Sequence, residues 1–203
     1  MLRLHSRAVS HPLVESPSET PQVSLCIVTW NAKEALRKCL HSILDDSWGI
    51  AYEVMVCDNA SEDGTREMLL DEFPLQQFPH LIVLRSEKNL MFGAGANIAA
   101  KAARGRVVVI LNDDTVVSAR AMEGLCQFLE ATPAAGLAGP IVARPSGKPE
   151  RTFNQFPTVQ PEGPLRLRQR SKQRISGEQP EEIGWIGGCC IAIKAECGRQ
   201  IGF

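Results

Sequence analysis

The chain has 203 residues, 44% of them hydrophobic and 22% charged, and its formal net charge is −1. A length and composition of this kind are typical of one globular domain with a substantial core. The near-neutral charge provides no basic field for nucleic acid, and no apolar run reaches the ~18 residues of a membrane-spanning helix. We therefore expect a globular domain that has no nucleic-acid partner and does not span a membrane.

The seven cysteines show neither the spacing of a zinc site nor that of a disulfide framework. Cys26 and Cys57 lie inside apolar runs, where a thiol usually packs as a small hydrophobic group. Cys189 and Cys190 are adjacent, which does not suit a bridge between them. We therefore expect reduced thiols and a cytoplasmic protein.

The N-terminal 21 residues lack the continuous apolar run of a signal peptide, and we expect a flexible tail there. After the tail, apolar runs predict four strands, at residues 23–29, 53–57, 81–84 and 107–111. Helical patterns follow each strand, the third after a glycine-bearing loop and ending at Arg104 before Gly105. Asn31, with Glu34 three positions later, and Ser118 are the expected N-caps of the first and fourth helices.

Strands that alternate with helices predict βαβ units and an α/β fold with a parallel sheet. The nearly continuous apolar strands indicate that helices cover both faces of this sheet. Ligands of such folds bind beyond the carboxyl ends of the strands. The residues expected at that edge are Thr29, Trp30, Asn31, Asp58, Asn59, Lys88, Asn89, Asn97, Asn112, Asp113 and Asp114.

Two adjacent carboxylates, Asp113 and Asp114, end the fourth predicted strand. Two such charges about 5 Å apart repel by roughly 3 kcal/mol at an effective dielectric near 20. Asn and Asp also favour turns after strands, so a simple turn is one interpretation. The other is a site for Mg²⁺ or Mn²⁺, which bind few carboxylates and complete their shell with water and substrate phosphates. In that case Asp58 is placed to hydrogen-bond a base or a ribose.

Residues 144–182 are rich in Pro, Gln, Arg and Gly and show weak periodicity, and we expect a mobile loop there. Within this segment LRLRQRSKQR, residues 165–174, contains five basic residues. It is either a solvated loop or a flap that meets an anionic substrate or a lipid surface at the inner face of the membrane. Regular structure is expected again in GWIGGCCIAIK, residues 184–194.

Four segments, in chain order, resemble family 2 glycosyltransferases: VSLCIVTWNAKEALRKCLHSIL, VMVCDNASEDGT, NLMFGAGAN and LNDDTVV. The resemblance is closest in character to the rhamnosyltransferase-like branch, which builds bacterial surface polysaccharides. It implies a GT-A fold, that is, a Rossmann-like and mostly parallel sheet flanked by helices. The implied nucleotide-sugar-binding domain covers residues 22–203, apart from the expected mobile loop.

The resemblance implies inverting transfer of a sugar from a nucleotide-diphosphate sugar to a saccharide or lipid-linked acceptor, with Mg²⁺ or Mn²⁺ as cofactor. The implied donor-binding residues are Thr29, Trp30, Asn31, Asp58, Asn89, Asn97 and Asp113. Asp58 would hold the base, Asp113 would approach the ribose, and Asp114 would bind the metal that bridges the diphosphate. The residues on the sugar or acceptor side would be Trp185, Gly187 and Gly188.

Two departures from the family pattern modify these expectations. Met91 and Ala99 stand where members often carry glycine, which predicts a narrower loop. In the family, an acidic motif after a segment like CGRQIGF supplies the catalytic base, so the catalytic residue is expected beyond Phe203. We therefore expect the C-terminal part of the family domain to be missing, with donor binding retained and transfer weak or absent.

Other functions are compatible with parts of the sequence. Gly93 and Gly95 with Ala99 partly imitate a dinucleotide-binding fingerprint, and Asp113 follows Gly95 by 18 residues, which suggests an NAD(P)-dependent oxidoreductase. However, residues 85–92 separate those glycines from the strand, and the paired carboxylates are left unexplained. A degenerate, non-catalytic module that binds a partner through its basic segment is a further alternative. Asp58 could also form a simple Asx turn.

Overall fold

The computed structural model describes residues 20–150, 152–154, 158–159, 167–168 and 179–203. Nearly all of the expected N-terminal tail, and most of the expected mobile loop with its basic segment, lie outside the described residues. No helix in the described ranges is long and apolar enough to cross a bilayer. The elements are β1 (Val23–Thr29), α1 (Lys33–Leu44), β2 (Tyr52–Asp58), α2 (Thr65–Glu72), β3 (Leu81–Arg85), α3 (Met91–Ala102), β4 (Val107–Asn112), α4 (Ala119–Ala131), β5 (Leu137–Ala138), β6 (Phe153–Asn154), β7 (Thr158–Val159), β8 (Leu167–Arg168), β9 (Trp185–Ile186), β10 (Cys190–Lys194) and α5 (Ala195–Ile201).

Six strands form the main sheet, in the order β3-β2-β1-β4-β10-β5. Strands β1 to β4 pair with one another in parallel, which confirms the four predicted strands and the βαβ pattern. β10 is antiparallel to both β4 and β5. It runs in the opposite direction because the chain reaches it from the carboxyl edge, after the long connection that follows β5. The sheet is therefore mixed, but mostly parallel.

Helices cover both faces of the sheet, as the apolar strands predicted. β1 is buried at all seven positions, with Leu25 and Ile27 in the cluster formed with α1, α2 and α4. Cys26 and Val28 belong to the second cluster, formed mainly with α3. On that side α3 packs close to β1, because a Cβ on Gly95 would lie only 2.8 Å from Val28 Cγ1.

The start of α1 differs from the prediction, because Asn31 is not its N-cap. The helix begins after Ala32, and no side chain of the cap residue bonds to it. Instead the Lys33 amide donates to Asp63 Oδ2 at 2.9 Å. Asn31 has φ 50 and its Oδ1 accepts the Glu62 amide at 2.8 Å, so its side chain is engaged elsewhere. A carboxylate from the β2–α2 loop thus replaces the local cap.

The fourth helix is capped in a similar way. Ser118 occupies the N-cap position, as predicted, but its side chain makes no capping hydrogen bond. The Ala119 amide donates to Asp46 Oδ2 at 2.8 Å, and the Val117 amide donates to Ser42 Oγ at 2.9 Å. The loop between β4 and α4 is therefore fixed to the C-terminal end of α1.

The predicted glycine loop before α3 is instead part of the helix, which begins at Met91 and so includes Gly93 and Gly95. This placement argues against the dinucleotide fingerprint, because its glycines belong to the loop that precedes the helix. Gly105 lies beyond the end of α3, where a Cβ would approach Ser24 N to 2.7 Å. Close approach to β1, rather than helix termination, explains this glycine.

A buried carboxylate joins α3 to the amino-terminal edge of the sheet. Glu53 is 1% exposed and accepts hydrogen bonds from Ser24 Oγ at 2.6 Å and from the Arg104 amide at 2.7 Å. Arg104 Nη2 lies 2.8 Å from Glu53 Oε2. This cluster lies at the edge opposite to the one at which ligands are expected.

All seven cysteines lie in the described part of the chain and are free thiols. Burial raises the pKa of Cys57 and Cys126 to about 11, and that of Cys39 and Cys190 to about 12. Thiols with such pKa values are protonated and unreactive at neutral pH. These four cysteines therefore act as packing groups.

Candidate functional site

Three strand ends lie side by side at the carboxyl edge of the sheet. The register places Thr29 of β1 opposite Asp58 of β2, and Val28 opposite Asn112 of β4. The Asn112 amide donates to Cys189 O at 3.0 Å, so the segment that precedes β10 joins the same edge. The loops that carry most of the predicted site residues therefore start from neighbouring positions.

The carboxylates after β4 lie in unequal environments. Asp113 is half-buried and Asp114 is exposed. Burial raises the pKa of Asp113, the nearby Thr29 hydroxyl lowers it, and the charge of Asp114 raises it, with a net increase. Thr29 is 1% exposed, and its Oγ1 lies close enough to Asp113 to lower that pKa but makes no hydrogen bond of normal geometry with any described residue. A buried hydroxyl without a partner is unfavourable, so this one is suited to a bound ligand or water.

The donor set at this edge suits a hard cation only when a ligand adds further oxygen atoms. Among the described residues, no group of three or more His, Cys, Asp and Glu side chains is arranged to hold a metal. Asp113 and Asp114 provide carboxylates, and Thr29 adds an unpartnered hydroxyl. Mg²⁺ and Mn²⁺ commonly use one or two carboxylates together with substrate phosphates and water. The residues present therefore fit such a metal together with a diphosphate.

Asp58 is held by several contacts at the end of β2. Its Oδ1 accepts the Ser61 amide at 2.9 Å, which is the local turn that the sequence allowed. Its Oδ2 lies 3.1 Å from Arg85 Nη1, and Arg85 Nη2 donates to Ser61 O at 3.2 Å. Arg85 could not be selected from the sequence, because a charged residue at the end of a strand resembles an ordinary solvated position.

Asn31 and Asn89 use their side chains for loop structure. The Asn31 amide donates to Ser61 Oγ at 2.9 Å, in addition to the bond between its side chain and Glu62. Asn89 Oδ1 accepts the Met91 amide at 2.7 Å and so supports the start of α3. The predicted contacts of these residues with a donor remain predictions.

Asn59 links three elements of the site, although the sequence analysis gave it no separate role. It is 2% exposed; its amide donates to Thr29 O at 2.9 Å, and its Nδ2 donates to Met91 O at 3.2 Å. Asn97 lies on the exposed side of α3. Asn59 therefore ties β1 and β2 to the start of the helix that carries Asn97.

The residues predicted for the sugar or acceptor side lie just before β10. Trp185 and Trp30 are 43% and 54% exposed, so both present aromatic surface to solvent. A Cβ on Gly187 would lie 3.2 Å from Thr152 O, which explains this glycine by close backbone approach. A Cβ on Gly188 would meet open space.

A cleft of about 850 Å³, which no sequence pattern indicated, extends from Asp58 between α2 and β3. Its lining residues are Asp58, Arg66, Leu69, Leu70, Phe73, Pro74, Leu75, Gln76, Val83, Arg85, Ser86 and Glu87. Clefts of this size, with mainly apolar walls and a few polar groups, are typical of small-molecule sites.

Several curated proteins share sequence with the chain. N-acetylglucosaminyl-diphospho-decaprenol L-rhamnosyltransferase of Mycobacterium tuberculosis is 24% identical over 172 residues, covering 73% of this chain and 54% of the relative. Glycosyltransferase AglE of Haloferax volcanii is 30% identical over 98 residues, covering 48% of this chain and 32% of that relative. The chain spans about half the length of the first of these curated relatives, and less of the second.

Solved structures share the fold. Mannosyltransferase PcManGT from Pyrobaculum calidifontis, in complex with GDP-Man and Mn²⁺, has a TM-score of 0.63 and 18% identity, covering 95% of this chain and 50% of that one. TarS 1–349 of S. aureus, in complex with UDP, has a TM-score of 0.58 and 16% identity, covering 89% of this chain and 48% of that one. The predicted GT-A-type α/β fold is confirmed.

A family model covers most of the chain and agrees with the fold. The model described as Glycosyl transferase family 2 matches residues 24–196, which include all four parallel strands and the paired carboxylates. The match extends to β10, the antiparallel strand next to β4. The chain therefore belongs to glycosyl transferase family 2.

Proposed function

We propose that this chain binds a nucleotide-diphosphate sugar at the carboxyl edge of its sheet, as the donor-binding part of a glycosyltransferase. The observation that carries the proposal is the pair Asp113 and Asp114 after β4, beside the buried and unpartnered hydroxyl of Thr29. A carboxylate pair alone is compatible with a turn. The orphan hydroxyl, the adjacent strand ends and the family favour a ligand.

The proposal assigns a role to each of these groups. Asp114, the exposed carboxylate, holds Mg²⁺ or Mn²⁺ with the diphosphate. Asp113, which is half-buried, orients the ribose, and Thr29 pairs with the donor. When bound, the metal would neutralise charge on the leaving nucleoside diphosphate. Trp185, exposed before β10, is assigned to the sugar or acceptor side.

The names of similar proteins support the substrate class. One structural neighbour was solved with GDP-Man and Mn²⁺, and another with UDP. The mycobacterial relative is named for rhamnosyl transfer to a lipid-linked diphospho-sugar. We therefore extend the proposal to inverting transfer to a saccharide or lipid-linked acceptor in surface polysaccharide synthesis.

Thermal unfolding in the presence of nucleotides tests this function. Because a ligand stabilises the folded state that binds it, UDP, dTDP or GDP with Mn²⁺ is expected to raise the unfolding temperature, while NADH is not. Thr29→Val should leave the unliganded protein nearly unchanged, since it removes an unpartnered hydroxyl, but it should reduce the nucleotide-induced increase.

Thr65→Val is the matched control for Thr29→Val. The Thr65 hydroxyl donates to Asp63 Oδ1, so its loss should lower the stability of the unliganded protein and leave the nucleotide effect intact. Stabilisation by NADH alone would contradict the proposal. An equal nucleotide effect in wild type and Thr29→Val would remove Thr29 from the donor site.

A further inference from the structure

Strand β3 forms an open edge of the six-stranded sheet. It pairs with β2 on one side, and within the described residues no strand pairs with its other side. The opposite edge of the sheet is β5, which has two residues, whereas β3 has five. A long edge strand presents a row of backbone donors and acceptors to other chains, and a short edge strand avoids this. The β3 edge is therefore the one that is available for pairing.

The hydrogen bonds to β2 show which backbone groups of β3 point outward. The Val54 amide donates to His80 O at 2.9 Å, and the Ser86 amide donates to Asp58 O at 3.0 Å. Because successive residues of a strand direct their N–H and C=O groups to alternate sides, the even-numbered residues of this segment face β2. The residues of β3 that face the open side are therefore Leu81, Val83 and Arg85.

Most of these outward groups are unpaired within the described part of the chain. The Leu81 amide donates to Phe78 O at 3.0 Å, so this donor is already satisfied by the preceding turn. The N–H and C=O groups of Val83, at the centre of the strand, and the N–H of Arg85 bond to no described residue. The open edge therefore offers a short row of backbone groups centred on Val83.

Apolar side chains surround this row. Leu70, Leu75 and Val83 are 64%, 62% and 41% exposed, and all three line the cleft between α2 and β3. Natural edge strands are commonly protected by free charges. The charged residue of β3 is Arg85, which is engaged with Asp58 at 3.1 Å. The edge thus combines unpaired backbone groups with exposed apolar surface, which is typical of an interaction site.

We propose that a second copy of this chain covers the edge, through antiparallel pairing of the two β3 strands about a two-fold axis at Val83. The N–H and C=O groups of Val83 then pair with the same groups of the second copy. The Arg85 amide donates to the Leu81 carbonyl of the second copy, while each Leu81 amide keeps its bond to Phe78. The two sheets become one continuous sheet. This inference is independent of the proposed function.

The side chains favour this symmetric arrangement. A two-fold axis perpendicular to the joined sheet leaves both α2 helices on the same face, so the exposed Leu70 and Leu75 side chains of both copies line one apolar groove. Pairing centred on Arg85 would place two guanidinium groups directly opposite each other, which is unfavourable. Pairing centred on Val83 places each Arg85 opposite an apolar Leu81 instead. The charge of Arg85 therefore selects the register.

The size of the contact predicts a weak dimer. In a two-fold contact the same patch is used on both copies, and twelve residues line the cleft on each copy. A stable interface of standard size uses about 20–30 residues per partner. We therefore expect a concentration-dependent dimer with a dissociation constant on the order of 10 µM.

Sedimentation equilibrium of the whole chain over a range of concentrations tests the inference. Val83→Lys places two charges at the axis and should raise the dissociation constant at least about tenfold. Val83→Pro removes the outward N–H without removing a bond to β2, and it should have the same effect. The matched control is Val116→Lys, at a valine that is 78% exposed and lies outside the cleft. It should leave the dimer intact.

Cross-linking distinguishes this register from other contacts between copies. Residues opposite each other in a hydrogen-bonded antiparallel pair have Cα atoms about 5.5 Å apart. A short bismaleimide should therefore join two copies of Val83→Cys, but not two copies of the control Val116→Cys. The wild-type protein gives the background from Cys189 and Cys197, the partly exposed thiols. Thermal unfolding identifies any variant that fails to fold.

A wild-type protein that stays monomeric at about 200 µM, twentyfold above the expected dissociation constant, overturns the inference. Slow maleimide labelling of Val83→Cys relative to Val116→Cys would then show that another segment of the chain covers the edge. A dimer that persists unchanged in both Val83→Lys and Val83→Pro also overturns it, because that dimer uses a different surface. Loss of the dimer in both variants, with cross-linking at position 83, is the result that the inference predicts.

Discussion

The Asn31 amide donates a hydrogen bond to Ser61 Oγ at 2.9 Å and so joins the loops that follow β1 and β2. The Asn31 side chain adds a second bond to the same loop, through the Glu62 amide at 2.8 Å. Thr29 and Asp58 lie at the bases of these two loops. The relative position of Thr29 and Asp58 at the carboxyl edge of the sheet therefore depends on a cross-link between residues 30 positions apart.

Two substitutions of Asn31 separate the stability that its side-chain hydrogen bond contributes from the cost of its backbone conformation. Asn31 has φ 50, a region that alanine adopts at a cost and glycine adopts freely. Asn31→Gly should lower the free energy of unfolding by about 1 kcal/mol through the lost hydrogen bond. Asn31→Ala should lower it by about 2 kcal/mol, because backbone strain is added. Urea denaturation measures both, and equal losses would contradict the assignment.

The buried Glu53 cluster should contribute strongly to stability. Glu53→Ala leaves the Ser24 hydroxyl and the Arg104 amide without their acceptor. We expect this variant to lower the free energy of unfolding by about 3 kcal/mol. The matched control is Glu130→Ala, which breaks a surface ion pair with Arg106 at 3.2 Å and should cost about 0.5 kcal/mol. Similar losses in urea denaturation would contradict this account.

Met91 occupies a backbone conformation that suits glycine. Its φ is 66, and its side chain is largely exposed at the first position of α3. Met91→Gly should therefore raise the free energy of unfolding by about 1 kcal/mol. Lys101→Gly, at an exposed position of the same helix, should instead lower it by about 0.7 kcal/mol. Destabilisation by both substitutions in chemical denaturation would show that Met91 is not strained.

Asp63 makes stability depend on pH. Desolvation raises the pKa of Asp63, but hydrogen bonds from the Thr65 hydroxyl and from the Lys33 and Thr65 amides outweigh this, so the pKa is lowered. The stability that the charge contributes is complete above the unfolded pKa of about 3.9 and is lost as pH falls through the folded pKa.

The variant Asp63→Asn keeps hydrogen-bonding capacity but removes this charge. Its deficit in the free energy of unfolding relative to wild type should be largest at neutral pH and should shrink below about pH 4. Urea denaturation of both proteins from neutral pH down to about pH 3.5 measures this trend. A deficit that grows toward acid would reverse the sign and contradict the lowered pKa.

The parallel part of the sheet could be predicted because its signals are local. Each apolar run from β1 to β4 is bounded by polar or glycine residues, and helical patterns lie between them. The direction of β10 could not be predicted, because it depends on a long connection with weak periodicity. The cap of α1 was predicted wrongly because Asp63, 30 positions from Lys33, displaces the local candidate Asn31.

The site could be predicted only in part, for a related reason. Carboxylates at strand ends are visible in the sequence, so Asp58, Asp113 and Asp114 could be selected together. Burial and pairing are not visible there, so neither the ion pair between Asp58 and Arg85 nor the orphan hydroxyl of Thr29 could be predicted.

The central claim is that Asp114 and a divalent metal hold the diphosphate of a nucleotide-sugar donor. The most direct test is calorimetric titration of UDP and GDP into the wild-type protein and Asp114→Ala, each with and without Mn²⁺. The control is Asp71→Ala, which removes an exposed carboxylate of α2. We predict binding that requires Mn²⁺ in the wild type and the control and is lost in Asp114→Ala. Binding that is equally strong without metal, or unchanged in Asp114→Ala, would contradict the account.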